Sequence, residues 1–359
     1  MSLKIKENVS LAPLTTFKVG GNALYFVEAK TSEEVIEALQ FAAQNKLPVF
    51  VFGGGSNILV SDEGFNGLVI VVKIKGIRHE KNGDTVVARV GAGEDWSQFV
   101  EFAVSQGWSG LETLSGIPGS VGGAPVQNIG AYGSEASHVI KEVVAYDMEK
   151  GAVVHLDKQA MDFGYRKSLF NTKHPNRYII LEVVFEFKTG GEPSLNYHDL
   201  KVHFEGPDRA GKPKPSLKDV HLAVLEIRAK KGMVINPNFE SYKSAGSFFK
   251  NPVVEKDVFE AVQKKVDPTA TNWFWPQQDG RVKVSAAKLI ELAGFKKGDR
   301  LGEAGISPKH ALSLINLGNA KAADILALAK KIIDGVYEKF SIRIEPEVLL
   351  IGFDKNPLI

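Results

Sequence analysis

The chain runs to 359 residues, which points to two or three domains, and 44% hydrophobic against 24% charged residues supplies enough apolar material for real cores. Its net charge of +2 argues against general nucleic-acid binding, and the absence of cysteine excludes disulfides, thiolate metal sites and a cysteine nucleophile. The opening residues lack the apolar region of a secretory leader, and no stretch reaches the roughly eighteen apolar residues of a membrane span. The expectation is a soluble cytoplasmic chain with neither membrane nor nucleic-acid partners.

The first element in chain order is an apolar strand, ALYFVEA (23–29). A helix follows at SEEVIEALQFAAQNK (32–46), where Val35, Ile36, Leu39, Phe41 and Ala42 recur at roughly helical spacing. Thr31 or Ser32 serves as its N-cap, with Glu33 and Glu34 in the first turn. The strand VFVF (49–52) then runs into a cluster of glycines, giving a β-α-β pattern that ends in a glycine loop. GLVIVVK (67–73), TVVARVGAG (85–93), VVAYDM (143–148), AVVHL (152–156) and YIILEVVFEFK (178–188) read as strands, with a helix at DWSQFVEFAVSQG (95–107). In the last of these strands Leu181, Val183, Phe185 and Phe187 fall on one face. Residues 190–218 are polar and rich in Gly and Pro and read as a long loop of the kind that serves a ligand. Helices are expected again at SLKDVHLAVLEIRAKKG (216–232), SAAKLIELAG (285–294) and KAADILALAKKIIDGVYEKF (321–340). ALSLINLG (311–318) and IRIEPEVLLIG (342–352) read as strands, the last free to pair with either part of the chain. The fold class is α+β.

Several short motifs carry chemistry. Gly53, Gly54, Gly55, Ser56 and Asn57 follow a strand and can wrap backbone amides around a pyrophosphate, a tight turn being the plainer alternative. They are not the dinucleotide fingerprint, because the following NILV reads as extended. Ser115, Gly116, Ile117, Pro118, Gly119, Ser120, Val121, Gly122 and Gly123 form a loop of small residues that leaves backbone groups open to a flat polar ligand. Arg166 beside Tyr165 has the chemistry to stabilise an oxyanion, although a surface arginine is the commoner reading of that pair. GPDRAGKP (206–213) has the spacing of a P-loop but places Pro213 where the magnesium-binding hydroxyl belongs, so it is rejected. In EPEV, Glu345 and Glu347 alternate around Pro346, which also suits a salt-bridged sheet edge. The eight histidines form neither His-x3-His nor HExxH, and no metal is expected. In SAGSFFKNP (244–252), Ser247 lacks the Gly-x-Ser-x-Gly of a nucleophile elbow.

Taken in order, TTFKVGG, FGGGSNIL, GLETLSGIPGSVGGAPVQNIGAYG, GYRKSLF, IRAKKGMV, SAGSFFKNP, KVSAAKLIELAGFKKG and EPEV resemble the UDP-N-acetylenolpyruvoylglucosamine reductase (MurB) family over about residues 14–350. The resemblance implies an FAD-binding region of the vanillyl-alcohol-oxidase/PCMH type in two subdomains, 1–70 and 71–215, the second carrying a substrate loop near 190–215. A separate α+β substrate-binding domain would fill 216–340, and 341–359 would return as a strand to the core. The implied activity is NADPH-dependent, FAD-mediated reduction of UDP-N-acetylglucosamine enolpyruvate to UDP-N-acetylmuramate for peptidoglycan, in a cytoplasmic monomer.

The same resemblance implies the site. Arg166, Ser247 and Glu347 take the catalytic positions. Gly53, Gly54, Gly55, Ser56 and Asn57, with Ser115, Gly116, Ile117, Pro118, Gly119, Ser120, Gly122, Gly123, Asn128, Gly130 and Ala131, fall on the FAD. Tyr165, Tyr197, Lys231 and Asn251 fall on the UDP-sugar, with Lys230 a rival to Lys231 for the diphosphate, and the tyrosine at 197 marks a type I enzyme. Hydride from flavin N5 would go to C3 of the enolpyruvyl group, Arg166 would stabilise the enolate, and Ser247 would protonate C2. Two alternatives stand beside this: another flavin-dependent oxidoreductase of the same fold acting on an alcohol or 2-hydroxy acid, and a non-catalytic nucleotide-sugar-binding module.

Overall fold

The structure, a computed structural model, describes residues 3–205, 213–235, 243–266, 269–270 and 273–358. The rejected P-loop string lies outside the described residues apart from Pro213. The chain divides into two compact units, one of Met1–Val9, Ala23–Gly54 and Asn66–Phe239, the other of Ser10–Asn22, Gly55–Phe65 and Glu240–Ile359. Among the described residues, no helix is long and apolar enough to cross a membrane.

The first unit holds two sheets. One has strands in the order Lys6–Ser10, Asn22–Ala29, Phe65–Val72, Val49–Phe52, with Val49–Phe52 running parallel to Phe65–Val72. Helix α1 (Ser32–Gln44) connects Asn22–Ala29 to Val49–Phe52, and Thr31 caps α1 by accepting from the Glu34 amide. The other sheet is antiparallel, in the order Ala152–Asp157, Ile140–Asp147, Tyr178–Thr189, Thr85–Gly91, Ile77–Asn82. Its central strand buries Leu181, Val183, Phe185 and Phe187 as the alternation predicts, and buries Ile180 and Val184 on the opposite face as well. Helix α2 (Trp96–Ser105) lays Phe99 on Phe185 at a ring separation of 4.9 Å. Within the stretch read as loop, His198–Glu205 forms helix α3, and Leu200 is its one buried residue. Helix α4 (Leu217–Lys230) belongs to this unit, because His221 and Arg228 pack toward the loop at 112–116.

An ion pair locks one end of the antiparallel sheet. The Asp147 carboxylate accepts from Arg177 Nε at 2.9 Å and Nη2 at 2.7 Å, and from the amides of Glu149 and Lys150. These hydrogen bonds, the Arg177 pair first, hold the carboxyl down to about 2 from an ordinary 3.8. A depressed carboxyl stabilises the fold above its unfolded value and stops doing so as the pH falls through its folded value. Asp147→Asn is therefore expected to cost about 3 kcal/mol at neutral pH. The gap from wild type should close as pH falls from about 4 to about 2. Urea unfolding at neutral and acid pH checks this, and an equal gap at both would contradict it.

The second unit gathers the remaining helices α5 (Lys256–Gln263), α6 (Ala286–Leu292) and α7 (Ala322–Phe340). Ile325, Leu328, Ala329, Ile332, Ile333 and Val336 make the buried stripe of α7 at three- and four-residue spacing. Trp273 is a core residue, its ring 5.4 Å from Phe259. The expected C-terminal strand is regular only at Leu349–Ile351, where it pairs in parallel with Ile58–Val60. That pairing, with Phe17 packed 6.3 Å from Phe248, puts 10–22 and 55–65 in this unit. The compact units thus divide differently from the boundaries at 70, 215 and 340.

Candidate functional site

In the first unit the two glycine loops come together. A Cβ on Gly53 would lie 1.8 Å from Ser120 Oγ, and one on Gly54 would lie 2.6 Å from the Gly119 Cα. Only glycine lets the two backbones approach so closely. The amides of Gly54, Gly116, Gly119 and Ser120 donate to no carbonyl among the described residues. Gly122 and Gly123 are used differently: their amides donate to the carbonyls of Ala92 and Ser120, which shapes the loop from within. Ile117 and Pro118 are half-buried between these segments. Ser115 is buried, its hydroxyl donating to the Glu112 carbonyl and lying 2.7 Å from His221 Nδ1.

The same unit builds the Tyr165–Arg166 turn. Gly164 and Lys167 exchange hydrogen bonds of 3.0 Å, which leaves Tyr165 and Arg166 at the tip. Arg166 has φ of 55°, in the left-handed region that non-glycine residues avoid. Its Nη2 donates to the Gly130 carbonyl at 3.0 Å, and its guanidinium lies 5.4 Å from the Tyr165 ring. Gly130–Ala131 pairs with Ser134–Glu135, so this carbonyl is fixed by a short hairpin. Asn128 ties hairpin and turn: its amide donates to Glu135 Oε2 at 2.6 Å and to the Gly164 carbonyl at 3.1 Å, while its oxygen accepts from Ser137. The Asn128 side chain, placed on the cofactor by sequence, is thus engaged by the protein.

A third cluster joins α3 and α4. Lys231 Nζ pairs with Asp199 at 2.6 Å and lies 5.6 Å from the Tyr132 ring, which meets Tyr197 edge-on at 5.4 Å. Lys230 instead pairs with Glu226 along the exposed side of α4, which leaves Lys231 as the lysine of the cluster. Burial pushes the Tyr132 phenol up to about 12 and raises Tyr197 too, Asp199 adding to the latter, so both stay neutral at physiological pH. Sequence reasoning missed Tyr132, Asp199 and Arg228. For Arg228 a signal existed: Leu217, Val220, Val224 and Arg228 share the buried stripe of α4, where a charge is out of place.

Ser247 and Glu347 lie in the second unit. Their segments form an antiparallel ladder: the Glu347 amide donates to the Phe248 carbonyl at 2.7 Å, the Lys250 amide to the Glu345 carbonyl at 2.9 Å, and Phe249 bridges Pro346. Phe248 and Phe249 are buried on either side of this ladder, and Ser247 is half-buried with no hydrogen-bond partner for its hydroxyl among the described residues. Lys250 is drawn to Glu345 at 3.8 Å. Asn57 donates from its side chain to the Glu347 carbonyl at 3.1 Å and accepts from the Leu349 amide, so this glycine-loop residue fixes the backbone on both sides of Val348. Gly55 and Ser56 pack on the other side, their carbonyls accepting from Thr16. The Asn251 oxygen accepts from the Ala286 amide and holds the first turn of α6.

The paired glycine loops, the Arg166 turn and the tyrosine pair all lie in the first unit, and that part of the chain falls in the class of FAD-binding proteins. The family model for an FAD binding domain matches residues 23–157. The model for the UDP-N-acetylenolpyruvoylglucosamine reductase C-terminal domain matches residues 237–351. The UDP-N-acetylenolpyruvoylglucosamine reductase of Thermobifida fusca is 41% identical, covering 98% of this chain and 99% of that one. That of Streptomyces coelicolor is 40% identical, over 96% and 90%. The crystal structure of the Thermus caldophilus enzyme, MurB, superposes with a TM-score of 0.65 at 28% identity, covering 98% of this chain and 100% of that one. The chain belongs to the UDP-N-acetylenolpyruvoylglucosamine reductase family.

Proposed function

We propose that the chain reduces UDP-N-acetylglucosamine enolpyruvate to UDP-N-acetylmuramate, taking hydride from NADPH through bound FAD. The observation that carries this reading is the family match over nearly the whole chain, joined to a complete set of the expected residues in the described structure. The cradle of Gly53, Gly54, Gly119 and Ser120 fits the FAD diphosphate, since its loops meet only through glycine. Bound FAD supplies the hydride chemistry. Arg166, fixed by Gly130 and the left-handed turn, stabilises the negative charge that develops on the enolpyruvyl carboxylate. Ser247 gives its proton to C2, and Glu347 orients the reacting group from its place on the same ladder as Ser247. Lys231 holds the UDP diphosphate once Asp199 yields it, while Tyr165, Tyr197 and Asn251 complete the sugar-nucleotide contacts. The reading takes the enzyme as a cytoplasmic monomer.

The deciding assay is NADPH oxidation by the purified yellow protein, started with the enolpyruvyl sugar nucleotide. Oxidation that requires that substrate supports the reading; a flavin-free protein that cannot be reconstituted, or oxidation indifferent to the substrate, rejects it. A second expectation concerns the cradle. Gly54→Val drives a side chain into the Gly119 backbone and should cost the protein roughly tenfold or more in FAD retention. Gly123→Ala, whose Cβ meets nothing nearer than Ser120 Oγ at 3.6 Å, should stay yellow. Equal flavin content in the two variants would show that loop contact does not hold the cofactor.

A further inference from the structure

Helix α4 reaches the loop of small residues through a buried polar pair that the proposed chemistry does not use. Ser115 is fully buried and His221, on α4, is 7% exposed. The Ser115 hydroxyl lies 2.7 Å from the Glu112 carbonyl oxygen and 2.7 Å from His221 Nδ1. A carbonyl can only accept, so the single hydroxyl hydrogen goes to Glu112, and the hydrogen between Ser115 and His221 belongs to the imidazole. Burial pushes the His221 imidazole below its ordinary value, against the pull of Glu101, so the ring is neutral at physiological pH. It therefore carries its one N–H on Nδ1. With its hydrogen committed to Glu112, the Ser115 hydroxyl has no donor left for an anion, and what Ser115 offers a cofactor is its backbone.

The backbone around this pair shows what it holds. Among the described residues, the backbone of Ser115, Gly116 and Ile117 makes no hydrogen bond to other backbone. Before this stretch the Leu114 carbonyl accepts from Trp96 Nε1 at 3.2 Å. After it the Gly119 carbonyl accepts from the Trp96 amide at 3.1 Å, and the Val121 amide donates to the Glu94 carbonyl at 2.9 Å. Those anchors come from the start of α2 and the residues before it. In the interval the contacts come from α4: His221 to Ser115 and, one turn on, Leu225 against Gly116, where a Cβ would sit 2.7 Å from Leu225 Cδ2. Gly116 has φ of 69°, so the chain turns sharply at the residue that follows the tie. We propose that His221 is a positioning residue for FAD: by donating to Ser115 it fixes the Ser115–Gly116 peptide, and with it the Gly116 amide, in the orientation that the cofactor meets. The proposal rests on the FAD reading above. Lys231 caps the C-terminal end of the same helix, so the contact also ties the cofactor loop to the element that carries the substrate lysine.

The test uses the FAD-loaded protein, His221→Phe, which keeps a flat ring and removes the donor, and His221→Asn, whose amide nitrogen can take the place of Nδ1. FAD release is followed as the rise of free-flavin fluorescence on dilution. Release from His221→Phe should be about five- to tenfold faster than from wild type, the size expected for one buried hydrogen bond, and His221→Asn should recover most of the difference. Ser115→Ala should speed release as well, and the double variant His221→Phe/Ser115→Ala should be no faster than the faster single one, because both changes act on one contact. In nitrogen NMR of histidine-labelled wild type, the signal lost in His221→Asn should be that of a ring protonated on Nδ1 and bare on Nε2. A ring protonated on Nε2 instead would reverse the bond and overturn the proposal. Unchanged release from His221→Phe, or equal losses in the Phe and Asn variants, would overturn it too and make the imidazole a space-filling part of α4. Should His221→Phe fail to fold, Ser115→Ala must still speed release and the wild-type ring must still be protonated on Nδ1; failure of either rejects the proposal. A wild type that retains no FAD overturns the FAD reading and this proposal together, whereas unchanged release from a loaded variant overturns this one alone.

Discussion

Ser247→Ala is expected to leave reduction of the bound flavin by NADPH near the wild-type rate and to slow its reoxidation by the enolpyruvyl substrate by about 10²–10⁴-fold. The size follows from the role of a general acid. Hydride arriving at C3 leaves an electron-rich C2, and without a proton at hand that charge has no outlet. A serine hydroxyl is a weak acid and suits only a strongly basic acceptor, which such a carbon is. The structure helps in two ways. The hydroxyl is not committed to another acceptor among the described residues, and the backbone beneath it is pinned through the Phe248–Glu347 and Phe249–Pro346 contacts. Alanine keeps that ladder and the buried Phe248 and Phe249, so the substitution removes a proton and little else. Lys250, the nearest cation in sequence, is engaged with Glu345, which favours water over Lys250 for returning the proton. Stopped-flow traces of the two half-reactions decide the matter. Equal losses in both would make Ser247 structural.

How much of this was legible before the structure depends on how local the determinant is. The stripe of α7, the cap of α1 and the alternation from Leu181 to Phe187 are written within one or two turns or a few strand residues, and each is found where its period puts it. Helix α3 was not legible because it buries only Leu200, and a polar stretch with one anchor has no period. The pairing of Ile58–Val60 with Leu349–Ile351 was hidden for another reason. It joins segments nearly the whole chain apart, and an apolar run carries no mark of its partner. Pro346, which lacks an amide to donate, also keeps regular pairing from starting before Leu349. In the site, the quoted glycines were visible, but not that Gly53 and Gly54 face Ser120 and Gly119. Asn128 was visible only as a loop residue; its three side-chain hydrogen bonds exist because the fold brings Gly164 and Ser137 to it.

Arg166→Asn should lower turnover of the enolpyruvyl substrate by about 10²–10³-fold, the usual cost of removing one preorganised oxyanion donor, while leaving thermal stability close to that of wild type. The two halves have a common origin in the turn. At φ of 55° an arginine sits where its Cβ crowds the backbone, and asparagine occupies that region more readily. The strain is of order 1–2 kcal/mol. Against it stand the Arg166–Gly130 hydrogen bond, worth about 1 kcal/mol net, and the guanidinium's contact with the Tyr165 ring, so the fold comes close to breaking even when the side chain is exchanged. The Gly164–Lys167 closure is made by the backbone alone and should persist. Thermal unfolding of the two FAD-loaded proteins, with both half-reactions measured on each, separates the effects: reoxidation should collapse, NADPH-driven reduction should hold, and the melting temperature should stay close to that of wild type. A variant that melts several degrees lower yet still turns over would place Arg166 in the scaffold instead. The expected pattern, a chain that keeps its stability by giving up a strained arginine and loses its chemistry in doing so, would locate the cost of catalysis at a single backbone angle.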